Sequence, residues 1–156
     1  MESNITIRKA EIGDLPGILE IEYSCFAEDS FTKRQFIYLI TRGKGLFLVV
    51  EKEDKIIAYL SLSFHSRTHN LRIYSIAVHP EYRHLKSGQY LMDETLEYAR
   101  THNVRKITLE VKVTNYPAIG LYKKYGFEAT HILCGYYHDG ADAYSMQLLL
   151  PACPGN

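Results

Sequence analysis

The stretch Ile76-Ala77-Val78-His79-Pro80-Glu81-Tyr82-Arg83-His84-Leu85-Lys86-Ser87-Gly88-Gln89 decides how the chain is read. It opens on apolar residues that suit a strand, and His79-Pro80 stops that strand because proline brings no N–H to a ladder. A cation-rich loop follows, with Arg83, His84 and Lys86 clustered. From Gly88 to His102 the pattern turns helical: Met92, Leu96 and Ala99 form a stripe, with Leu91, Thr95 and Tyr98 alongside. A strand that passes through such a loop into a helix builds an anion site, because the first-turn N–H groups are free and the helix dipole is positive there. The same segment also reads as an ordinary solvated connection.

Toward the N-terminus, Leu71 to Val78, Ile56 to Phe64 and Leu46 to Glu51 are β-rich, with Glu53-Asp54-Lys55 as a turn. They read as an antiparallel meander. Two helices precede them. Asp14 stands where it can cap a helix with Pro16 in its first turn. Leu15, Ile18, Leu19, Cys25 and Phe26 keep helical spacing, and Glu22 is the one polar break. Thr32 with Gln35 fits a capping box before the stripe Phe36, Leu39, Ile40. Ile5 to Lys9 alternates as a first strand.

Toward the C-terminus, Val104 to Val113 reads as a strand with Ile107, Leu109, Val111 and Val113 on one face. Asn115 and Pro117 begin a helix that ends near Gly126. Phe127 to Tyr137 and Ala141 to Leu150 read as strands around a tight His138-Asp139-Gly140 hairpin. The order β-α-α-β-β-β-α-β-α-β-β predicts an α/β domain with an α+β type of mixed sheet.

Bulk properties narrow the function classes. At 156 residues the chain suits one domain, expected over 1–150 with a tail at 151–156. Lys+Arg and Asp+Glu both number 18, so no net field attracts nucleic acid. The apolar runs are too short to span a bilayer, and Met1 to Lys9 lacks a signal-peptide layout, so a cytoplasmic protein without a membrane partner is expected. Cys25, Cys134 and Cys153 form neither a disulfide framework nor a metal pair. His65 and His69 lie in a loop rather than on a helix, and no metal site is expected.

The segment Thr108-Leu109-Glu110-Val111-Lys112 sets Glu110 opposite the apolar face of Leu109 and Val111. Asn115 follows, and Tyr122 sits in the next helix. By position alone these suit a solvated strand carboxylate and a packed ring as well as an acid/base pair.

Taken together, the segments resemble the GNAT superfamily. Its acyl-CoA motif, Arg/Gln-x-x-Gly-x-Gly/Ala after a strand, falls on Arg83, Lys86 and Gly88, with Lys86 where the first glycine stands. Lysine costs more than glycine wherever φ must be positive, although its ammonium suits a phosphate. Leu109-Glu110-Val111, Asn115, Ala118-Ile119, Leu121-Tyr122 and Gly126-Phe127 resemble the second GNAT signature. Gly135 to Met146, with Tyr136-Tyr137-His138-Asp139-Gly140, is similar to the ending of the RimI-like branch of N-terminal protein acetyltransferases. The likeness runs over Leu71 to Leu148, and the first forty residues match in layout.

The resemblance implies a GNAT-like acyl-CoA N-acyltransferase fold and direct transfer of an acetyl group from acetyl-CoA to an amine, foremost the N-terminal α-amine of a protein or peptide. It implies Glu110 as general base and Tyr122 as general acid. Ile76, Ala77 and Val78 would present backbone groups to the pantetheine and the acetyl carbonyl. Arg83, His84, Leu85, Lys86, Ser87, Gly88 and Gln89 would meet the pyrophosphate, and Asn115 would hydrogen-bond the cofactor. Phe26 and Phe31 would approach the acceptor, and Tyr136 and Tyr137 would border its entry cleft. A monomer or weak homodimer is expected. Acetylation of a small amine, such as a polyamine or antibiotic, and a non-catalytic acyl-CoA-binding module stay open as alternatives.

Overall fold

The structure, a computed structural model, describes residues 4–151. Strands β1 (Ile5–Lys9), β2 (Gly45–Lys52), β3 (Lys55–His65), β4 (Asn70–Val78), β5 (Lys106–Lys112), β6 (Glu128–Leu133) and β7 (Ala143–Leu149) form one sheet, ordered β1-β2-β3-β4-β5-β7-β6. Helices α1 (Leu15–Phe26), α2 (Lys33–Arg42), α3 (Ser87–Thr101) and α4 (Tyr116–Lys124) connect them in the expected order. The sheet is mixed: β1–β2, β2–β3, β5–β7 and β6–β7 pair antiparallel, whereas β4–β5 pairs parallel. The chain forms two compact units. One holds residues up to Ser63 with Ile73–Thr95, the other Phe64–Arg72 with residues from Leu96 onward.

In the first unit, Leu15, Ile18 and Ile21 of α1 and Phe36 of α2 bury against Phe47 and Val49 of β2, Ile56 and Tyr59 of β3 and Ala77 of β4. The Phe36 ring meets Phe47 and Tyr59 edge-on, with centroids 6.0 and 5.7 Å away. Each fully buried side chain of this size contributes roughly 1.5–3 kcal/mol. Gly17 lets α1 lie close on β3, since a Cβ there would come within 3.0 Å of the Ile56 Cβ. The capping box forms: Gln35 N–H donates to Thr32 Oγ1 (3.1 Å) and Thr32 N–H to Gln35 Oε1 (2.6 Å). The β2–β3 turn puts Glu53 and Asp54 at φ 49° and 67°, the left-handed pair a tight hairpin needs.

Asp14 departs from expectation. It occupies the cap position of α1 but makes no side-chain cap bond there. Its carboxylate accepts instead from Arg8 Nη1 and Nη2 (2.9 and 2.7 Å) and from Glu11 N–H (2.8 Å). A bidentate guanidinium is a stronger donor than a helix N–H, and it holds the Asp14 carboxyl below the usual carboxylate range.

In the second unit, β5 alternates cleanly: Ile107, Leu109 and Val111 are buried, and Lys106, Thr108, Glu110 and Lys112 are half-buried. Its parallel register with β4 pairs Asn70 with Lys106, Leu71 with Ile107 and Arg72 with Thr108. On its other side it pairs with β7 from Lys106–Leu149 to Lys112–Ala143. Strand β6 lies on the edge of the sheet, and Glu128, Thr130 and His131 supply the polar, exposed side chains that guard such an edge.

The final strands are shorter than their β-propensity suggests. β6 stops at Leu133 and β7 starts at Ala143, so residues 134–142 form a loop rather than continuous strand. Gly135 at φ 63° turns the chain out of the sheet, and Asp142 Oδ1 accepts the Gly135 N–H (2.9 Å). The expected turn survives at the loop tip. Gly140 N–H donates to Tyr137 O (2.9 Å), Tyr137 N–H to Ala141 O (3.2 Å), and Gly140 alone of the turn takes positive φ, at 83°. This is a three-residue loop closed by a left-handed glycine, rather than a two-residue turn with two such positions.

Candidate active site

The strand-to-helix segment lies in the first unit. At the end of β4, Ala77 is buried and Ile76 and Val78 are half-buried. Pro80–Leu85 is a 3-10 helix, where the sequence suggested open loop. The His79 Nδ1 accepts Glu81 N–H (3.2 Å), and Pro80 presets the first turn. Arg83 folds back on the strand end, donating from Nε to Val78 O (3.4 Å), with Nη2 3.5 Å from Cys25 Sγ. His84 is exposed, and Leu85 is buried, so Leu85 offers its backbone rather than its side chain to this surface.

Lys86 ends the 3-10 helix in the left-handed region, at φ 61° and ψ 27°. That conformation is the physical reason a glycine suits the position, and a side chain there costs about 1–2 kcal/mol. The chain keeps the loop geometry and accepts the strain. Its carbonyl receives Gln89 N–H (3.1 Å) and Tyr90 N–H (3.3 Å), which starts α3. Ser87 is fully buried, and its Oγ is the one buried side-chain polar atom without a partner among the described residues. Buried polar groups normally have partners, so an orphan hydroxyl at a helix start marks the loop as chemically unfinished. Gly88 and Gln89 follow, half-buried, in the first turn of α3.

Phe26 and Phe31 are half-buried at the two ends of the short α1–α2 connection, against the same core cluster as Ala77. The Phe31 ring lies 4.7 Å from Tyr74 and 6.1 Å, edge-on, from Phe36. Cys25 donates to Val78 O (3.4 Å), and burial pushes its thiol up. Cys134 is exposed and free, and Cys153 lies outside the described residues.

The segment from Glu110 to Tyr122 lies in the second unit. Glu110 has a side-chain exposure of 19% and receives Arg72 on one oxygen, with Nη2 2.5 Å and Nε 3.2 Å from Oε1. Two residues on, Lys112 Nζ pairs with Asp139 Oδ2 (3.2 Å) and sits 5.1 Å from the centroid of the Tyr137 ring. Asp139 Oδ1 accepts Ala141 N–H (2.9 Å), so one strand lysine and one loop aspartate hold the tyrosine-bearing turn. Tyr136 is exposed and Tyr137 half-buried, with rings edge-on at 5.1 Å. Asn115 caps α4, its Oδ1 accepting Ala118 N–H (3.4 Å). Tyr122, further along α4, is buried beside Phe127 at 6.0 Å. Burial first, and the nearby Tyr137 phenol second, push the Tyr122 phenol above its ordinary value.

The structure therefore gathers the candidates into two groups. Ile76–Gln89 shares the first unit with Phe26 and Phe31, whereas Glu110, Asn115, Tyr122, Tyr136 and Tyr137 share the second. Arg72, Lys112 and Glu22 carry contacts that position alone did not reveal. Arg72 reaches Glu110 only through the parallel β4–β5 register, for which the chain holds no local signal. Glu22 did leave one: a lone carboxylate inside an apolar helical stripe is unexpected unless it is paired.

The chain is thus an α/β protein with a mixed seven-strand sheet, in which one strand runs through a 3-10 turn into α3 and another carries Glu110. Residues 15–127 match the model of the acetyltransferase (GNAT) family, and the chain belongs to that family. It is 33% identical over 154 residues to an N-alpha-acetyltransferase of Sulfolobus acidocaldarius, covering 92% of this chain and 91% of that one. Among solved structures it resembles Ard1 of Thermoplasma volcanium, with TM-score 0.85, 30% identity and coverage of 95% and 99%. It also resembles the ribosomal-protein-S18-alanine N-acetyltransferase of Escherichia coli, with TM-score 0.85, 26% identity and 97% of each chain covered. Among the described residues no helix is long and apolar enough to cross a membrane.

Proposed function

We propose that this chain transfers the acetyl group of acetyl-CoA to the N-terminal α-amine of a protein or peptide, with residues 1–150 acting as one catalytic domain in the cytoplasm. The observation that carries this reading is the near full-length likeness to an N-alpha-acetyltransferase. It accompanies a Glu110 carboxylate held by Arg72 on a single oxygen.

Acetyl-CoA supplies an activated acetyl thioester and a thiolate leaving group. The chain's residues must then hold the cofactor, free the amine and manage two protons. The start of α3 suits the pyrophosphate, because the positive end of the helix dipole attracts oxyanions there. Lys86 adds positive charge on the exposed side of the loop, and His84 is exposed beside it. The half-buried Ile76 and Val78 flank the pantetheine, and Asn115, already spending its oxygen on the α4 cap, offers its amide N–H. Glu110 takes the proton of the attacking amine, directly or through one water. An α-amine, with a pKa of about 8 against about 10.4 for lysine, needs less help to become neutral. Tyr122 keeps its proton over the working range and offers it to the sulfur as the C–S bond breaks. Phe26 and Phe31 in the first unit, and Tyr136 and Tyr137 in the second, are assigned to the acceptor.

The deciding experiment follows thiol release from acetyl-CoA with short peptides bearing free or blocked N-termini. Turnover only with free N-termini is expected. Turnover on polyamines with none on peptides moves the acceptor to small amines, and no acetyl-CoA binding by calorimetry overturns the reading. A second expectation concerns Lys86. Lys86→Gly relieves the left-handed strain but frees the unfolded chain, so stability in urea should rise by about 1 kcal/mol or less. Acetyl-CoA affinity should change by about tenfold or less, about 1.4 kcal/mol. A fall in stability would show that the Lys86 side chain makes contacts that outweigh its backbone strain.

A further inference from the structure

Glu22 is a carboxylate with 1% of its surface exposed, in the last turns of α1. Burial pushes its carboxyl up, and every oxygen it has is used. Oε2 accepts the Phe31 N–H at 2.7 Å. Oε1 accepts from the Tyr59 hydroxyl, which in turn lies 2.8 Å from Ser75 Oγ. Its backbone carbonyl lies 3.3 Å from Ser30 Oγ, which shares its one proton between this carbonyl and the nearer Ala27 O. Two of these contacts land on the same short connection between α1 and α2. A buried charge is costly unless paired, and a core built for stability alone would place a leucine here.

The connection it grips is strained. Ala27 ends α1 at φ 47° and ψ −114°, a conformation that residues with a Cβ rarely adopt. Such strain persists only where the surroundings over-determine the backbone, and it gathers at functional segments. Ser30 N–H and Ser30 Oγ both donate to Ala27 O (3.1 and 2.6 Å), and Glu22 anchors the next residue, Phe31. The Phe31 ring then packs on Tyr74, the neighbour of Ser75 in β4. The Glu22–Tyr59–Ser75 chain thus ties α1, β3 and β4 to one amide of the connection.

We propose that Glu22 is a positioning residue for the acceptor: its buried carboxylate holds the Phe31 amide, and so fixes the strained 26–32 segment in the shape that receives the incoming N-terminus. This rests on the proposed function, in which Phe26 and Phe31 face the acceptor. Glu22 takes no part in proton transfer, so its loss alters acceptor capture and leaves the chemical step alone.

The test compares Glu22→Ala, Glu22→Gln and Glu22→Asp in the full chain, by peptide kinetics, acetyl-CoA calorimetry and hydrogen exchange at the Phe31 amide. Gln keeps an oxygen for Phe31 N–H and an N–H for the Tyr59 oxygen, so it should stay within about twofold of wild type. Ala should raise the peptide KM about tenfold or more, leave kcat and acetyl-CoA affinity within about twofold, and speed exchange at Phe31. If Ala does not fold, Asp, a methylene short of the amide, should show the same KM-only effect. An unchanged KM in a folded Ala or Asp variant, a parallel loss of acetyl-CoA affinity, or equal damage from Gln and Ala overturns the role. A wild type that acetylates no peptide overturns the acceptor reading and this role with it. Unchanged Phe31 exchange in the variants of a peptide-active enzyme overturns the Glu22 role alone.

Discussion

Glu110→Gln is expected to lower kcat by about 10²- to 10⁴-fold, the usual worth of a positioned general base. The substitution is nearly isosteric, and its carbonyl oxygen still accepts from Arg72, so the strand and its register with β7 should survive. The cost in stability should be small, about 1 kcal/mol or less, because the Arg72–Glu110 pair is partly exposed on both sides. Acetyl-CoA affinity by calorimetry should stay near wild type, since the carboxylate is assigned to the amine and not to the cofactor. Single-turnover acetylation of a peptide that the wild type uses is the direct measurement. Wild-type turnover in the variant would remove Glu110 from the base role. Arg72 sharpens this expectation. It occupies one carboxylate oxygen with two N–H groups, so in the proposed base role the other oxygen would receive the amine proton.

Tyr122→Phe should lower kcat by about 10²-fold or more with little change in fold, because the ring still fills its buried site against Phe127. The pH dependence is the more discriminating readout. Burial and the Tyr137 phenol raise the Tyr122 value, so its proton is present below that value and lost only above it. Hence kcat/KM for the wild type should climb through the α-amine range, about pH 8, and show no fall from Tyr122 below about pH 10. A falling limb below about pH 10 that Tyr122→Phe abolishes would contradict the buried, protonated phenol. The raised value also refines the chemistry. An ordinary phenol and a thiol are closely matched, but this phenol is the weaker acid. In the proposed acid role its contribution is therefore a hydrogen bond that strengthens as charge collects on sulfur.

Much of the fold is written in short-range patterns. The period-two burial of Ile107, Leu109 and Val111 matches their alternation along the chain, which already assigns Glu110 to the other face of β5. The Thr32–Gln35 box and the Asn115 cap announce the starts of α2 and α4, because each is satisfied within four residues. The left-handed Lys86 is not legible locally: the residues of the 3-10 helix before it read as open loop, and only the resemblance places a glycine position there. Legibility fails where partners are distant or compete. Asp14 has the right neighbours for a cap, yet Arg8 claims it. The 127–137 run has strand propensity, yet Gly135 and the Asp142 side chain take it out of the ladder.

Element order, the face of β5 that carries Glu110, and the strand–loop–helix that suits a pyrophosphate are all legible in the chain itself. They depend on periodicity, caps and turn residues, which act over a few residues and need no distant partner. What those residues touch was settled by tertiary packing. The β4–β5 register brings Arg72 to Glu110, a lysine on β5 clamps the Tyr137 turn, and a carboxylate near the end of α1 grips the amide of Phe31. Such pairings join residues from separate elements. Their energies depend on burial and register, and neither is set until the sheet has formed.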